Sequence, residues 1–154
     1  MFLNPLSRLR VIAIVALVAG ILLAGCGNDS SPIADDTTVT VTVAPTSFAD
    51  VIAESATFVL NVHTPDEGSI PGTDANIPFD RLRRRADELP ADRSTPIAVY
   101  CRSGNMSAQA TVTLGDLGYT DVTELAGGMD AWRGDGRTLL LPDQAGGRRK
   151  AASE

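Results

Sequence analysis

The residue in this chain best placed for chemistry is Cys101. It follows the apolar run Pro96-Ile97-Ala98-Val99-Tyr100 and opens the segment Cys101-Arg102-Ser103-Gly104-Asn105-Met106, after which a helical stretch begins at Ser107. A thiol acts as a nucleophile in its thiolate form, which is favoured where backbone N–H groups, a helix N-terminus or a cation face the sulfur. The amides of residues 102–106 can form such a cradle, Gly104 lets the backbone curl, and Arg102 adds a full charge beside the thiol. The same surroundings hold a persulfide anion. The bland alternative is a buried cysteine packed as a small hydrophobe, and the Arg-Ser-Gly-Asn turn weighs against it. The other cysteine, Cys26, sits in a different setting, closing the run Leu23-Ala24-Gly25-Cys26. His63 is the single histidine, which excludes any site built on two and argues against zinc.

Residues 1–25 read as an export signal. Arg8 and Arg10 stand in a start that lacks acids, and the apolar stretch from Val11 to Leu23 is shorter than the roughly 20 residues a spanning helix needs. Leu23-Ala24-Gly25-Cys26 resembles the lipobox of bacterial lipoproteins at each of its four positions. That resemblance implies cleavage after Gly25, diacylation of Cys26, and an extracytoplasmic protein held at the membrane by its lipid. Residues 26–38, polar and poor in large apolar side chains, read as a tether. With Cys26 lipidated, Cys101 is the one free thiol, so no internal disulfide can resolve its chemistry.

A sheet must carry Cys101. Val39–Val43 alternates as a short strand, Ser47 to about Glu54 suits a helix, and Thr57–Val62 reads as a buried strand. A loop with Pro65 and Ile70-Pro71-Gly72 leads to residues 79–89, where Phe79, Leu82, Ala86 and Leu89 recur at helical spacing. Pro96–Tyr100 is a second buried strand and Ser107–Leu117 a helix stopped by Gly118. Val122–Leu125 is a third buried strand, and a short helix carrying Trp132 follows Gly127-Gly128. Alternating strands and helices predict a mostly parallel sheet covered on both faces, with Cys101 at its carboxyl edge, where ligands of such folds bind. The composition agrees with one ordinary domain at 39–140, since 154 residues are 44% apolar and 21% charged. Residues 141–154 read as a frayed tail. A net charge of −6 argues against nucleic acid as a partner, and Asp80, Asp87 and Glu88 offset the cluster of Arg81, Arg83, Arg84 and Arg85.

Residues 39 to about 137 resemble a single rhodanese homology domain. The matching pieces are Val59-Leu60-Asn61-Val62-His63, Pro65-Asp66-Glu67, Ile70-Pro71-Gly72 with Asn76-Ile77-Pro78, the run from Val99 to Ser107, and Leu125-Ala126-Gly127-Gly128 through Trp132. The resemblance implies a three-layer α/β fold with a central parallel sheet of about five strands and helices on both faces. It implies that Cys101 is the nucleophile and persulfide carrier, and that Arg102, Ser103, Gly104, Asn105 and Met106 form the cradle. A small donor such as thiosulfate supplies the sulfur, an outside thiol or cyanide accepts it, and neither metal nor organic cofactor is required. Asn61-Val62-His63 replaces the family's usual Asp-Val-Arg: Asn61 can accept hydrogen bonds without the charge, and His63 suits loop support better than general-base work. Met106 stands where the family often has Arg or Thr, losing a positive charge for an anionic donor. Ser107 occupies the position where phosphatase relatives need arginine, and Arg102 one where the mercaptopyruvate branch has glycine. A docking module that binds a protein partner without catalysis is the alternative.

Overall fold

The strand β4 (Ile97–Tyr100) is buried on every residue, because it lies in the middle of a parallel sheet covered on both faces. In a computed structural model that describes residues 38–145, five strands lie in the order β1-β5-β4-β2-β3. They are β1 (Val39–Val43), β2 (Phe58–Asn61), β3 (Ala75–Asn76), β4 and β5 (Asp121–Leu125), and every pairing is parallel. The helices are α1 (Pro45–Ala53), α2 (Asn105–Asp116), α3 (Gly128–Gly134) and α4 (Pro142–Ala145). The expected export signal, Cys26 and the tether up to residue 37 lie outside the described residues, as do residues 146–154.

Alternation along the strands builds two cores. Leu60, Val62, Ile97, Val99 and Val122 pack on one face with Ala110 and Leu114 of α2. On the other face Val59, Ala98, Tyr100 and Leu125 pack with Phe48 of α1 and with Met129 and Trp132 of α3. Phe48 meets both Tyr100 and Trp132 edge-on at 6.3 Å between ring centroids, a favourable aromatic geometry. Together the helices and sheet form the three-layer α/β fold.

Local departures from the sequence reading have local causes. Helix α1 starts at Pro45, two residues ahead of Ser47: Ala44 is extended, and proline at the first helical position has its φ already set. Residues 79–89 are not a continuous helix but two 3₁₀ turns, Phe79–Arg81 and Ala86–Glu88. Only Leu82 and Leu89 of that stretch are buried, too little apolar surface to hold three turns, and the chain leaves helical geometry at Arg85 (φ −116°, ψ 30°). Helix α2 starts at Asn105 because Gly104, with φ 102°, serves as its N-cap. The two-residue β3 carries no periodic signal. Within the stretch expected to fray, residues 142–145 form α4, after Leu140 pairs with Ser69 through two backbone bonds of 2.9 and 2.7 Å.

Tyr100 ties the second core to the loop after β2. Its hydroxyl accepts the Ile70 N–H at 2.9 Å and bonds Thr73 Oγ1 at 2.6 Å, and burial pushes its ionisation well above the ordinary tyrosine range. Tyr100→Phe is expected to cost about 1–3 kcal/mol, since it leaves a buried N–H unpaired. The measurement is a lower urea midpoint with an unchanged m-value.

Candidate active site

Cys101 sits directly after β4, and the chain turns back over its own sulfur. The Gly104 N–H donates to Sγ at 3.1 Å, and the Ser107 hydroxyl lies 3.4 Å from it. Burial pushes the thiol up, but the Ser107 hydroxyl and the backbone N–H groups of Ser107, Gly104 and Ser103 outweigh that cost. The net shift is downward, toward thiolate. The residue is 1% exposed, so these groups act with little competition from water.

The carbonyls of the loop are held away from the sulfur by another element. At the start of α3, the Met129 N–H donates to the Cys101 carbonyl and the Asp130 N–H to the Arg102 carbonyl, both at 2.9 Å. Fixing those carbonyls on α3 leaves the following amides free to turn toward Sγ. The approach requires glycine at 128: a Cβ there would stand 2.2 Å from the Cys101 carbonyl oxygen and 2.6 Å from the Arg102 carbonyl, and the backbone has φ +56°.

Arg102 does not bring a free charge to the thiol. Its guanidinium bonds both Glu67 carboxylate oxygens at 3.1 Å and lies 3.6 Å from Asp130, so two carboxylates balance the charge expected from the sequence. It borders a cleft of about 210 Å³ shared with Glu67, Met129, Arg133 and Leu139. Asn61 and His63 act on the loop that presents Glu67. Asn61 Oδ1 accepts the His63 N–H at 3.0 Å, and its Nδ2 donates to the Gly68 carbonyl at 3.0 Å, pinning both ends of residues 63–68. His63 Nε2 pairs with Glu67 at 2.9 Å, while its buried Nδ1 has no partner among the described residues. Met106 is half-buried against the core under α2, and Asn105 is exposed with its carbonyl bonded by Gln109.

A rhodanese-like domain model matches residues 46–135. The chain belongs to the rhodanese-like family. Among curated relatives of this rhodanese-like chain, a sulfurtransferase of Allochromatium vinosum is 35% identical over 88 residues, covering 55% of this chain and 79% of that one. The thiosulfate sulfurtransferase PspE of Escherichia coli is 39% identical over 54 residues, 35% of this chain and 51% of that one. A crystal structure of a rhodanese-related protein from Thermoplasma volcanium matches with a TM-score of 0.56 at 32% identity, over 66% of this chain and 98% of that one. Family and relatives together support a function of the sulfurtransferase type.

The sequence reading passed over four parts of this rhodanese-like site. Glu67 and Asp130 hold Arg102, and nothing in their spacing announced a shared partner. Ser107 and Glu124 had a signal: a carboxylate at an alternate, inward position of the apolar stretch Val122–Leu125 needs a buried partner. Glu124 is 8% exposed, and the fully buried Ser107 lies 2.7 Å from its Oε1.

Proposed function

We propose that this protein is a sulfurtransferase that carries sulfane sulfur as a persulfide on Cys101, taking it from a small donor such as thiosulfate and passing it to an outside thiol or cyanide. The observation that carries the reading is the set of groups around one buried sulfur: the Gly104 N–H that donates to it at 3.1 Å, the backbone amides that draw the thiol toward thiolate, and the Ser107 hydroxyl in contact at 3.4 Å. Amides arranged this way stabilise the attacking thiolate, and the loop that carries them also favours the negative charge of an anion one sulfur longer. Cys101 Sγ attacks the outer sulfur of the donor, the donor's S–S bond breaks, and sulfite leaves with the electron pair. The acceptor then attacks the outer sulfur and Sγ departs.

The test is thiocyanate formation from thiosulfate and cyanide, with intact-protein mass spectrometry for a gain of one sulfur. Turnover and the adduct support the reading. Absence of both across several donors overturns it in favour of a docking module that binds a partner without chemistry.

The reading extends to location. Cleavage after Gly25 and a lipid on Cys26 hold the domain outside the cytoplasm, at the membrane surface. Cys26→Ala is expected to move the protein from the membrane fraction to the soluble fraction. Retention of residues 1–25 in the cellular protein defeats the assignment.

A further inference from the structure

Glu124 is a buried carboxylate that the sulfur chemistry described above leaves unused. It lies on β5 one hydrogen bond from the hydroxyl that touches the nucleophile: Ser107 Oγ is 2.7 Å from Glu124 Oε1 and 3.4 Å from Cys101 Sγ. Its second oxygen accepts from Thr42 Oγ1 at 3.2 Å. Among the described residues no cation pairs with it. The elements packed on β5 are β1, β4, α1, α2 and, at Leu125, α3, whose titratable side chains are Tyr100, Asp50, Asp116 and the paired Asp130 and Arg133. Tyr100 bonds the loop at residues 70–73, Asp50 is exposed and Asp116 pairs with Arg83. On the loop, Arg102 is taken by Glu67 and Asp130.

The Ser107 hydroxyl has one proton and three acceptors in reach: Glu124, the thiolate form of Cys101, and the Gly104 carbonyl at 3.0 Å. The ionised carboxylate is the nearest and holds it by a charge-assisted bond. While Glu124 holds that proton, Ser107 turns a lone pair to Cys101 and the pull toward thiolate rests on the backbone N–H groups of Ser103, Gly104 and Ser107; the hydroxyl adds its own part only when its proton turns to the sulfur. If Glu124 is protonated the chain reverses, with the carboxyl donating to Ser107 and Ser107 donating to the anionic sulfur. Two anions linked by one buried hydroxyl are costly, so the arrangement favours one negative charge at a time.

Resting on the persulfide reading, we propose that Glu124 is a positioning residue for sulfur transfer that acts through Ser107, taking up the proton Cys101 loses on loading and returning it on discharge. On loading from thiosulfate, Sγ bonds the outer sulfur and sulfite leaves with the electron pair. The Sγ proton passes to the Ser107 oxygen, and the Ser107 proton passes to Glu124 Oε1. The negative charge of the carboxylate is thereby exchanged for that of the persulfide. On discharge the acceptor anion bonds the outer sulfur, the Sγ–S bond breaks, and Sγ regains a proton from Ser107 as Glu124 gives its own back.

The test follows the rate of Cys101 alkylation by iodoacetamide against pH on the purified full-length chain, a reaction that needs no sulfur donor. Glu124→Gln removes the competing charge and frees the Ser107 proton for the sulfur. The thiolate then forms at lower pH, and a shift of one unit raises alkylation at pH 6 about tenfold. In a Ser107→Ala background the same change is expected to have no effect. Thr42→Val, on the exposed edge strand, weakens the ionised carboxylate and moves the profile the same way by a smaller factor, which keeps the proposal testable if Glu124→Gln does not fold. On loading with thiosulfate, the wild type gains an infrared carbonyl band of a protonated carboxyl that Glu124→Gln lacks. Coincident alkylation profiles, an equal shift without Ser107, or no such band in a loaded wild type overturns the assignment. Failure of thiosulfate to load the wild type instead strikes the sulfur-transfer reading, and the alkylation profiles still decide the linkage.

Discussion

Cys101→Ser is expected to abolish thiocyanate formation and the one-sulfur mass gain while the protein stays folded. A serine hydroxyl cannot take up sulfane sulfur as a persulfide does, and its proton is far harder to remove than that of a thiol already drawn toward thiolate. The loss is therefore to background rather than by a fraction. The fold tolerates the change because the hydroxyl inherits partners: the Gly104 N–H that bonds Sγ at 3.1 Å and the Ser107 hydroxyl at 3.4 Å. A new polar group with both partners in place is expected to alter stability by no more than about 1 kcal/mol. Circular dichroism and a urea melt check the fold, and mass spectrometry after exposure to thiosulfate checks the chemistry. If Cys101→Ser still turns over, another group carries the sulfur and the persulfide reading falls. If the wild type is also inert and a partner protein binds both forms equally, the domain is a docking module.

How much of this site the sequence disclosed depends on whether the responsible signal is local. The strands β2, β4 and β5 were legible as apolar runs, and the placement of Cys101 followed from a strand meeting a glycine-containing turn before a helix. Residues 79–89 misled because helical spacing of four apolar positions counts only if all four are buried, and here only Leu82 and Leu89 are. Arg102 misled for a related reason. Its charge is visible in the sequence, but its orientation is set by Glu67 from the loop after β2 and Asp130 from α3, 35 residues before it and 28 after. Asn61 acts locally instead: its Oδ1 accepts the His63 N–H as a carboxylate could, while its Nδ2 donates to the Gly68 carbonyl, a bond no carboxylate can make. Contacts between elements distant in sequence have no periodic trace, and they aim the charges of this site.

Gly128→Ala is the second change expected to be severe, and it isolates what α3 does for the sulfur. A Cβ at this position would lie 2.2 Å from the Cys101 carbonyl oxygen and 2.6 Å from the Arg102 carbonyl carbon and oxygen. These are backbone atoms, so no rotamer change relieves the overlap. Either α3 or the active loop must move, and movement breaks the 2.9 Å bonds from the Met129 and Asp130 N–H groups to those carbonyls. Once released, the carbonyls can rotate toward the sulfur and the amides away from it. A misplacement near 1 Å in a catalytic group costs about a hundredfold in rate, and sulfur loading is expected to fall by at least that much. The stability cost is expected to be about 2–5 kcal/mol, combining about 1–2 for a left-handed alanine with about 1–3 for overpacking. Gly136→Ala separates the two effects. Gly136 also has a left-handed φ of +78°, but nothing lies within 4 Å of the added methyl, so it is expected to show the backbone cost alone. Thiosulfate loading and the pH profile of Cys101 alkylation are the measurements. If Gly128→Ala loads sulfur as well as Gly136→Ala does, the grip of α3 on the loop carbonyls is not what turns the amides toward Cys101. A hundredfold gap between the two means that the glycine after Gly127 is required for the chemistry of a cysteine 27 residues earlier in the chain.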